Sequence, residues 1–292
     1  MANNVYQYVT DRIIEELKKG NIPWRKPWKG QKAINYVTRK EYKGINTLLL
    51  LYPGEYLTFK QVQDLKGKVK KGEKSSMIVY YNWIEKNTGN KDKNGKDIID
   101  SIPILRYYNV FHISQTEGIE TKCQPYNTDK ENDTIEQAEN IINNYIKREN
   151  IKLSIITGGD TACYIPSNDE IVMPNINQFE GNNEYYSTLF HESVHSTGNN
   201  NRLNRISKQK FHQFGNQDYS KEELIAEIGS SILCNQIGIE IPQTFKNSVA
   251  YIQSWLKVLK NDIKLITIAS GQANKAVNYI LNIKDNEKVE NE

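Results

Sequence analysis

His191-Glu192-Ser193-Val194-His195 sets two imidazoles four residues apart around a carboxylate, in a chain of 292 residues with only four histidines. On a helix, positions i and i+4 lie one turn apart on one face, so both rings can reach a single metal ion. Glu192 projects beside them, where it can take a proton from a water on that ion. A zinc hydrolase needs three protein ligands and an open fourth position. The longer HExxHxxGxxH string would supply a third histidine, but that place holds Asn201, whose amide is a poor zinc ligand. The remaining candidates are His212 and the carboxylates of Glu222, Glu223 and Glu227. The glutamates are favoured because Leu224, Ile225, Ile228, Ile232 and Leu233 read as an apolar helix that Ser220 can cap with Glu223. Glu223 is assigned as ligand, and Glu227 as the group holding a ligating histidine through its second ring nitrogen. The choice among the three glutamates stays open. One Zn2+ ion so held lowers the pKa of its water to about 7, Glu192 accepts the proton, and peptide hydrolysis is the default reaction. Tyr219 is a further candidate donor to an oxyanion.

The elements that must position these groups are legible nearby. Tyr185, Tyr186, Leu189, Phe190 and Val194 recur at helical spacing, and Gly198 followed by three asparagines stops the helix. Ala162–Pro166 and Glu170–Pro174 read as a hairpin, and an edge strand beside the metal helix could hold an extended peptide by strand addition. A helix from Thr134 to Lys147, a strand at Lys152–Ile156 and two late helices, Gln243–Leu259 and Asn261–Ile283, complete that half. The charged tail from Lys284 is expected to fray.

The first half has a different character. Residues 1–120 carry 21 Lys and Arg against 13 Asp and Glu, a balance of +8, whereas the remainder balances at −5. An amphipathic helix, Val5–Lys19, puts Val5, Val9, Ile13 and Leu17 on one face. Strands are expected at Met77–Ile84 and Ile104–Ile113, joined by an exposed excursion over Asn87–Asp100. The expected fold is α+β throughout. A small-sheet domain occupies 1–120 and a linker 121–133, and a mostly helical metallopeptidase-type domain occupies 134–292. The polar N-terminus resembles no signal peptide, and no apolar run approaches the roughly 20 residues of a membrane helix. Cys123, Cys163 and Cys234 form no CxxC pair, so a reducing, cytoplasmic setting is expected.

Cations interleaved with aromatics suit a single strand of nucleic acid, because charges neutralise phosphates while rings stack on unpaired bases. The candidate contacts are Trp24, Arg25, Lys26, Trp28, Arg39, Tyr42, Lys43, Asn46, Phe59, Lys60, Lys70, Lys71 and Lys74. Trp24 and Trp28 read equally well as core or hinge anchors. No helix-turn-helix, zinc-finger or RRM string is present, which disfavours sequence-specific reading of a duplex.

Ordered blocks along nearly the whole chain resemble the ArdC-type antirestriction proteins. In the first half these are Asp11-Arg12-Ile13-Ile14, Pro23–Trp28, Tyr42–Asn46, Leu57–Gln61 and Lys70–Lys74. In the second they are His191–Gly198, Arg202-Leu203-Asn204-Arg205, Tyr219–Glu227 and Tyr251–Leu256. The resemblance implies an N-terminal single-stranded-DNA-binding domain, shared with TraC-type primases, joined to a zincin-like domain. It further implies carriage by plasmids, conjugative elements or phages, and protection of incoming DNA from host restriction. Host restriction-modification proteins, or other proteins bound to that DNA, would be partners. Two alternatives stand beside this: a DNA-binding shield whose zincin domain is structural or only docks a partner, and a general metallopeptidase whose basic half contacts acidic partners.

Overall fold

The structure, a computed structural model, describes residues 2–25, 32–50, 52–91, 97–123, 131–157, 161–206, 217–239, 253 and 255–283. His212, Lys26, Trp28 and most of the expected helix at 243–259 lie outside the described residues, as does the side chain of Tyr219. The chain folds as a mixed α+β protein.

The first helix, α1 (Ala2–Lys18), buries Val5, Val9, Ile13 and Leu17, the stripe its sequence spacing implies. It packs against a four-stranded sheet of order β1-β2-β5-β4, built from β1 (Ala33–Asn35), β2 (Gly54–Thr58), β4 (Ser76–Lys91) and β5 (Asp97–His112). β1 runs parallel to β2, and the other pairings are antiparallel. The short α2 (Ile45–Leu49) lies against the outer edge of β4, where the Asn46 amide exchanges hydrogen bonds with Val79 N–H (2.7 Å) and C=O (2.8 Å). That pairing satisfies backbone groups an edge strand would otherwise present to another chain. Thr58 opens α3 (Phe59–Asp64) with a capping box closed by Gln61. The two-residue strands β3 (Lys68–Val69) and β6 (Thr116–Glu117) form a separate small sheet.

The expected excursion at Asn87–Asp100 is corrected. β4 and β5 continue their ladder through Ile84↔Ile102, Lys86↔Asp100 and Asn87↔Ile99, with a register shift before Lys91↔Asp97. A polar sequence still pairs when it continues an established ribbon, because the backbone hydrogen bonds of the ladder do not depend on side-chain polarity.

In the second half, α4 (Glu131–Glu149) precedes a three-stranded sheet of order β7-β9-β8. β9 (Glu170–Pro174) pairs parallel with β7 (Lys152–Ile156) and antiparallel with β8 (Cys163–Ile165), so the hairpin forms and β8 is an edge. Helices α5 (Asn182–Ser196), α6 (Gln217–Ile237) and α7 (Leu265–Ile280) follow. The last helix starts at Leu265 rather than near Asn261, because the Asp262 carboxylate accepts from the Lys264 N–H and turns the chain there. The three cysteines are unpaired. Among the described residues no helix is long and apolar enough to cross a membrane.

One apolar cluster runs through both halves. It joins Val5, Val9, Trp24, Val79 and Leu105 to Phe190, Ile228, Trp255, Leu265 and Ala273. The Trp24 and Trp255 rings meet edge to face at 4.9 Å, and Thr10 Oγ1 donates to the Ile263 carbonyl at 2.7 Å. The start of the chain is therefore built into the metal-site half.

Candidate metal centre

Helices α5 and α6 cross closely because α6 carries Gly229 at the contact. A Cβ there would lie 2.9 Å from Val194 Cγ2, closer than packed carbons approach. That approach brings Glu223 of α6 over the two histidines of α5. Gly229→Val should therefore cost about 1–3 kcal/mol by overpacking. It should also weaken metal binding by displacing Glu223, a pair of effects that thermal melts with and without added metal would read.

His191 Nε2 and His195 Nε2 are 3.1 Å apart, and Glu223 Oε2 and Oε1 lie 3.5 and 3.4 Å from them respectively. Ligand atoms of His191, His195 and Glu223 all fall within 4.8 Å of one another. A tetrahedral ion with bonds of about 2.0–2.1 Å holds its ligands roughly 3.3–3.4 Å apart, so the three donors already stand at the spacing such an ion requires. Two imidazole nitrogens and one carboxylate form a borderline donor set suited to zinc and its neighbours. The fit is good without rearrangement.

The electrostatics agree. Burial works against the charge of His195, but Glu222 and Glu223 outweigh it and lift its pKa to about 10. His191 is raised for the same reasons, burial opposing and Glu223 prevailing. Burial would raise Glu223, yet the two imidazoles hold its carboxyl far below the usual carboxylate range. Glu192, itself buried, adds negative potential to both histidines and also to the thiol of Cys163 on β8. Its charge is therefore felt both at the histidine pair and at the edge strand.

Behind the ligands the structure departs from the sequence reading. Glu227 sits one turn beyond Glu223 and pairs with Arg25 of the first half at 3.4 Å. The carboxylate behind His195 is Glu222, whose Oε1 lies 3.6 Å from Nδ1. Arg205 grips Glu222 through Nη2 (2.8 Å) and Nε (3.1 Å), and its guanidinium also donates to Thr197 Oγ1 and the Val194 carbonyl. The physical reason is helical phase: with Glu223 aimed at the ion, Glu222 is turned about 100° toward the C-terminal end of α5. Arg205 returns to that end because the chain folds tightly over Gly198, whose carbonyl accepts from the Arg205 and Ile206 N–H groups. A Cβ at Gly198 would stand 2.6 Å from Ile206 Cγ1. Three residues earlier, Arg202 forks onto Asp169 (2.8 and 2.6 Å) and reaches Glu149 at 3.3 Å. Both arginines were visible as a sequence block, but nothing in their spacing named their partners.

Among the described residues, several of those expected to meet nucleic acid are committed within the fold. Trp24 is 2% exposed and covered by Trp255, so it anchors the two halves instead of stacking on a base. Arg25 faces Glu227. Arg39 is engaged by buried Glu55, which also accepts from Thr121 Oγ1 and the Lys122 N–H and stays ionised despite its burial. Asn46 is committed to the β4 edge, and Lys70 donates to the Ser114 carbonyl. Tyr42 is half-buried, edge-on to Tyr56. Lys43, Phe59, Lys60, Lys71 and Lys74 are exposed.

Fold and site together define a zincin-like metallopeptidase domain joined to a smaller α+β domain. Residues 136–272 match the zincin-like metallopeptidase family, and residues 3–111 match the N-terminal domain of anti-restriction factor ArdC. The antirestriction ArdC protein of plasmid R388 is 34% identical in its metal-free crystal structure, covering 95% of this chain and 97% of that one with a TM-score of 0.70. Its Mn(II)-bound structure aligns with 31% identity and a TM-score of 0.72, covering 96% and 98%. The chain belongs to the ArdC antirestriction family. A DNA primase TraC of Escherichia coli is 33% identical over 94% of this chain, yet the chain spans only 27% of that primase's length. A second TraC primase is 32% identical, with 20% of its length spanned.

Proposed function

We propose that this chain is an antirestriction protein of a mobile genetic element that binds single-stranded DNA and carries a zinc metallopeptidase-type site. The convergence of His191, His195 and Glu223 beside Glu192 carries this reading. The likeness to the plasmid R388 protein and to the TraC primases supports its nucleic-acid side. In this reading residues 1–120 bind DNA, 121–133 connect, and 134–292 hold the metal, in the cytoplasm. Its partners are single-stranded DNA and host restriction-modification or other DNA-bound proteins.

His191, His195 and Glu223 would hold one Zn2+ ion, which when bound acts as a Lewis acid and makes water acidic enough to react near neutral pH. Glu192 is the general base for that water, its charge felt both at His195 and at β8. Glu222, fixed by Arg205, holds His195 in the orientation that turns Nε2 to the ion. Among the described residues β8 is paired on one side only, and its other side would offer backbone groups to an extended peptide.

The pH dependence follows from the raised histidines. Metal-free His195 keeps its proton up to about pH 10, and an ion can bind only the neutral ring. Binding therefore expels protons, and affinity should climb from pH 6 to 9 by roughly tenfold per unit for each proton displaced. Calorimetric titrations in buffers of different ionisation enthalpy would count the released protons; a flat profile contradicts the expectation.

The core shared by the two halves favours a second reading, in which the zincin domain serves the DNA-binding half as a scaffold. Glu192→Gln separates the two. It should retain metal and single-stranded DNA while losing hydrolysis of a DNA-bound protein substrate. If it still protects DNA from restriction in full, proteolysis is not the mechanism.

A further inference from the structure

Pairing sorts the side chains of the β4–β5 ribbon onto two faces. Val79 and Leu105 enter the apolar cluster shared with α1, and Tyr107 stands beside Tyr8 of α1 at 6.1 Å. Ile78↔Tyr108 and Tyr80↔Arg106 are directly opposed pairs, so these four share the other face. Ile78 there packs on Leu50, Tyr56 and Val110, which places this face away from the metal-site half.

On that outer face the aromatics are not buried. Tyr80 and Tyr108 are 48% and 44% exposed, with rings 6.4 Å apart and edge to face. Arg106, directly opposite Tyr80 and two residues before Tyr108 on the same face, is exposed. Beyond Tyr108 the same face is covered at Val110 by Leu50 and Tyr56, and it reaches His112 about 20 Å from Arg106 at strand rise. There Tyr52, 61% exposed, lies 6.1 Å from the His112 ring. Exposed Lys43 follows Tyr42, whose ring packs at this face.

Tyrosine and arginine are enriched at protein-docking surfaces too, so the choice of occupant rests on charge. This one presents phenol rings flanked by cations, within a half whose balance is +8. Rings stack on unpaired bases without regard to sequence, and cations meet the phosphates between them. We propose that the outer face of the β4–β5 ribbon, centred on Tyr80, Arg106 and Tyr108 and extending to Tyr52, is a stacking platform for single-stranded nucleic acid. The assignment rests on the single-strand-binding reading above and locates its site in residues other than the Trp24–Trp28 segment.

The test is fluorescence anisotropy of a labelled oligodeoxythymidylate on the full chain, over a range of salt. Tyr80→Ala and Tyr108→Ala should each weaken binding roughly 5- to 150-fold, the worth of one base–ring stack. Tyr108→Phe, which keeps the ring, should bind like wild type. Arg106→Ala should flatten the dependence of log affinity on log salt by about 0.7, the share of one phosphate contact on a single strand. Tyr107→Ala, an equally exposed ring on the opposite face, should change nothing. If wild type binds the oligonucleotide and the Tyr80 and Tyr108 variants bind it equally well, the platform is overturned while single-strand binding stands. If wild type shows no preference for the single strand over duplex, both are overturned.

Discussion

Glu223→Ala is expected to weaken divalent-metal binding by roughly 100- to 1,000-fold, one ligand's share of a binding free energy of about 10–16 kcal/mol. The fold should survive, because Glu223 is partly exposed and, among the described residues, its ion-pair partners are the histidines it faces. The adjacent glutamates should behave differently. Glu222→Gln loses the charge behind His195 and should cost about 10- to 100-fold, the usual effect of a group that orients a ligand. Glu227→Gln, paired with Arg25 away from the ligand atoms, should fall within a few-fold of wild type. Competition titrations against a chelating dye would give all three constants. Should Glu227→Gln prove the most damaging, the assignment of the third ligand is wrong.

Arg202→Ala should produce a large loss of stability, about 3–5 kcal/mol. The side chain is 3% exposed and joins three parts of the second half. It forks onto Asp169 in the β8–β9 turn, reaches Glu149 at the end of α4, and donates to the Ser196 carbonyl at the end of α5. Glu149 in turn accepts from the Tyr279 hydroxyl of α7 at 2.8 Å, and Asp169 from Tyr164 at 2.8 Å. Removing the guanidinium leaves two carboxylates and a carbonyl facing one another without their common donor, the situation in which a broken ion pair costs most. Thermal denaturation should shift down on the order of 10 °C. A loss within about 1 kcal/mol would mean that water replaces the guanidinium without penalty.

How much of this could be read from the chain depends on the range of the interaction. The α5 helix, its two histidines and Glu192 follow from spacing within five residues, and α1 from a stripe at every fourth position. Glu223 as partner required only that the next apolar helix present a carboxylate, which the sequence stated without choosing among three. The choice is made by packing, through Gly229 against Val194, and by the return of Arg205 over Gly198. Neither appears in any local pattern. Trp24 stayed open between two readings for a related reason. A tryptophan in a basic stretch looks the same whether its ring meets a base or another tryptophan, and Trp255 lies more than two hundred residues away. The stacking platform was missed because Tyr80 and Tyr108 read as ordinary strand residues until pairing placed both on the uncovered face. The β4–β5 ribbon was underestimated because polar pairs such as Lys86↔Asp100 carry a ladder as well as apolar ones do.

The central claim is that one ion sits among His191, His195 and Glu223 with an open position beside Glu192. X-ray absorption at the zinc edge on the purified, zinc-loaded chain tests it most directly. One equivalent of zinc is expected, bonded to two imidazole nitrogens and light oxygen donors at about 2.0–2.2 Å. The spectrum of Glu192→Gln should be the same, because Glu192 is assigned to the water and not to the ion. A sulfur shell near 2.3 Å, a third imidazole, or a first shell that changes in Glu192→Gln would contradict this centre.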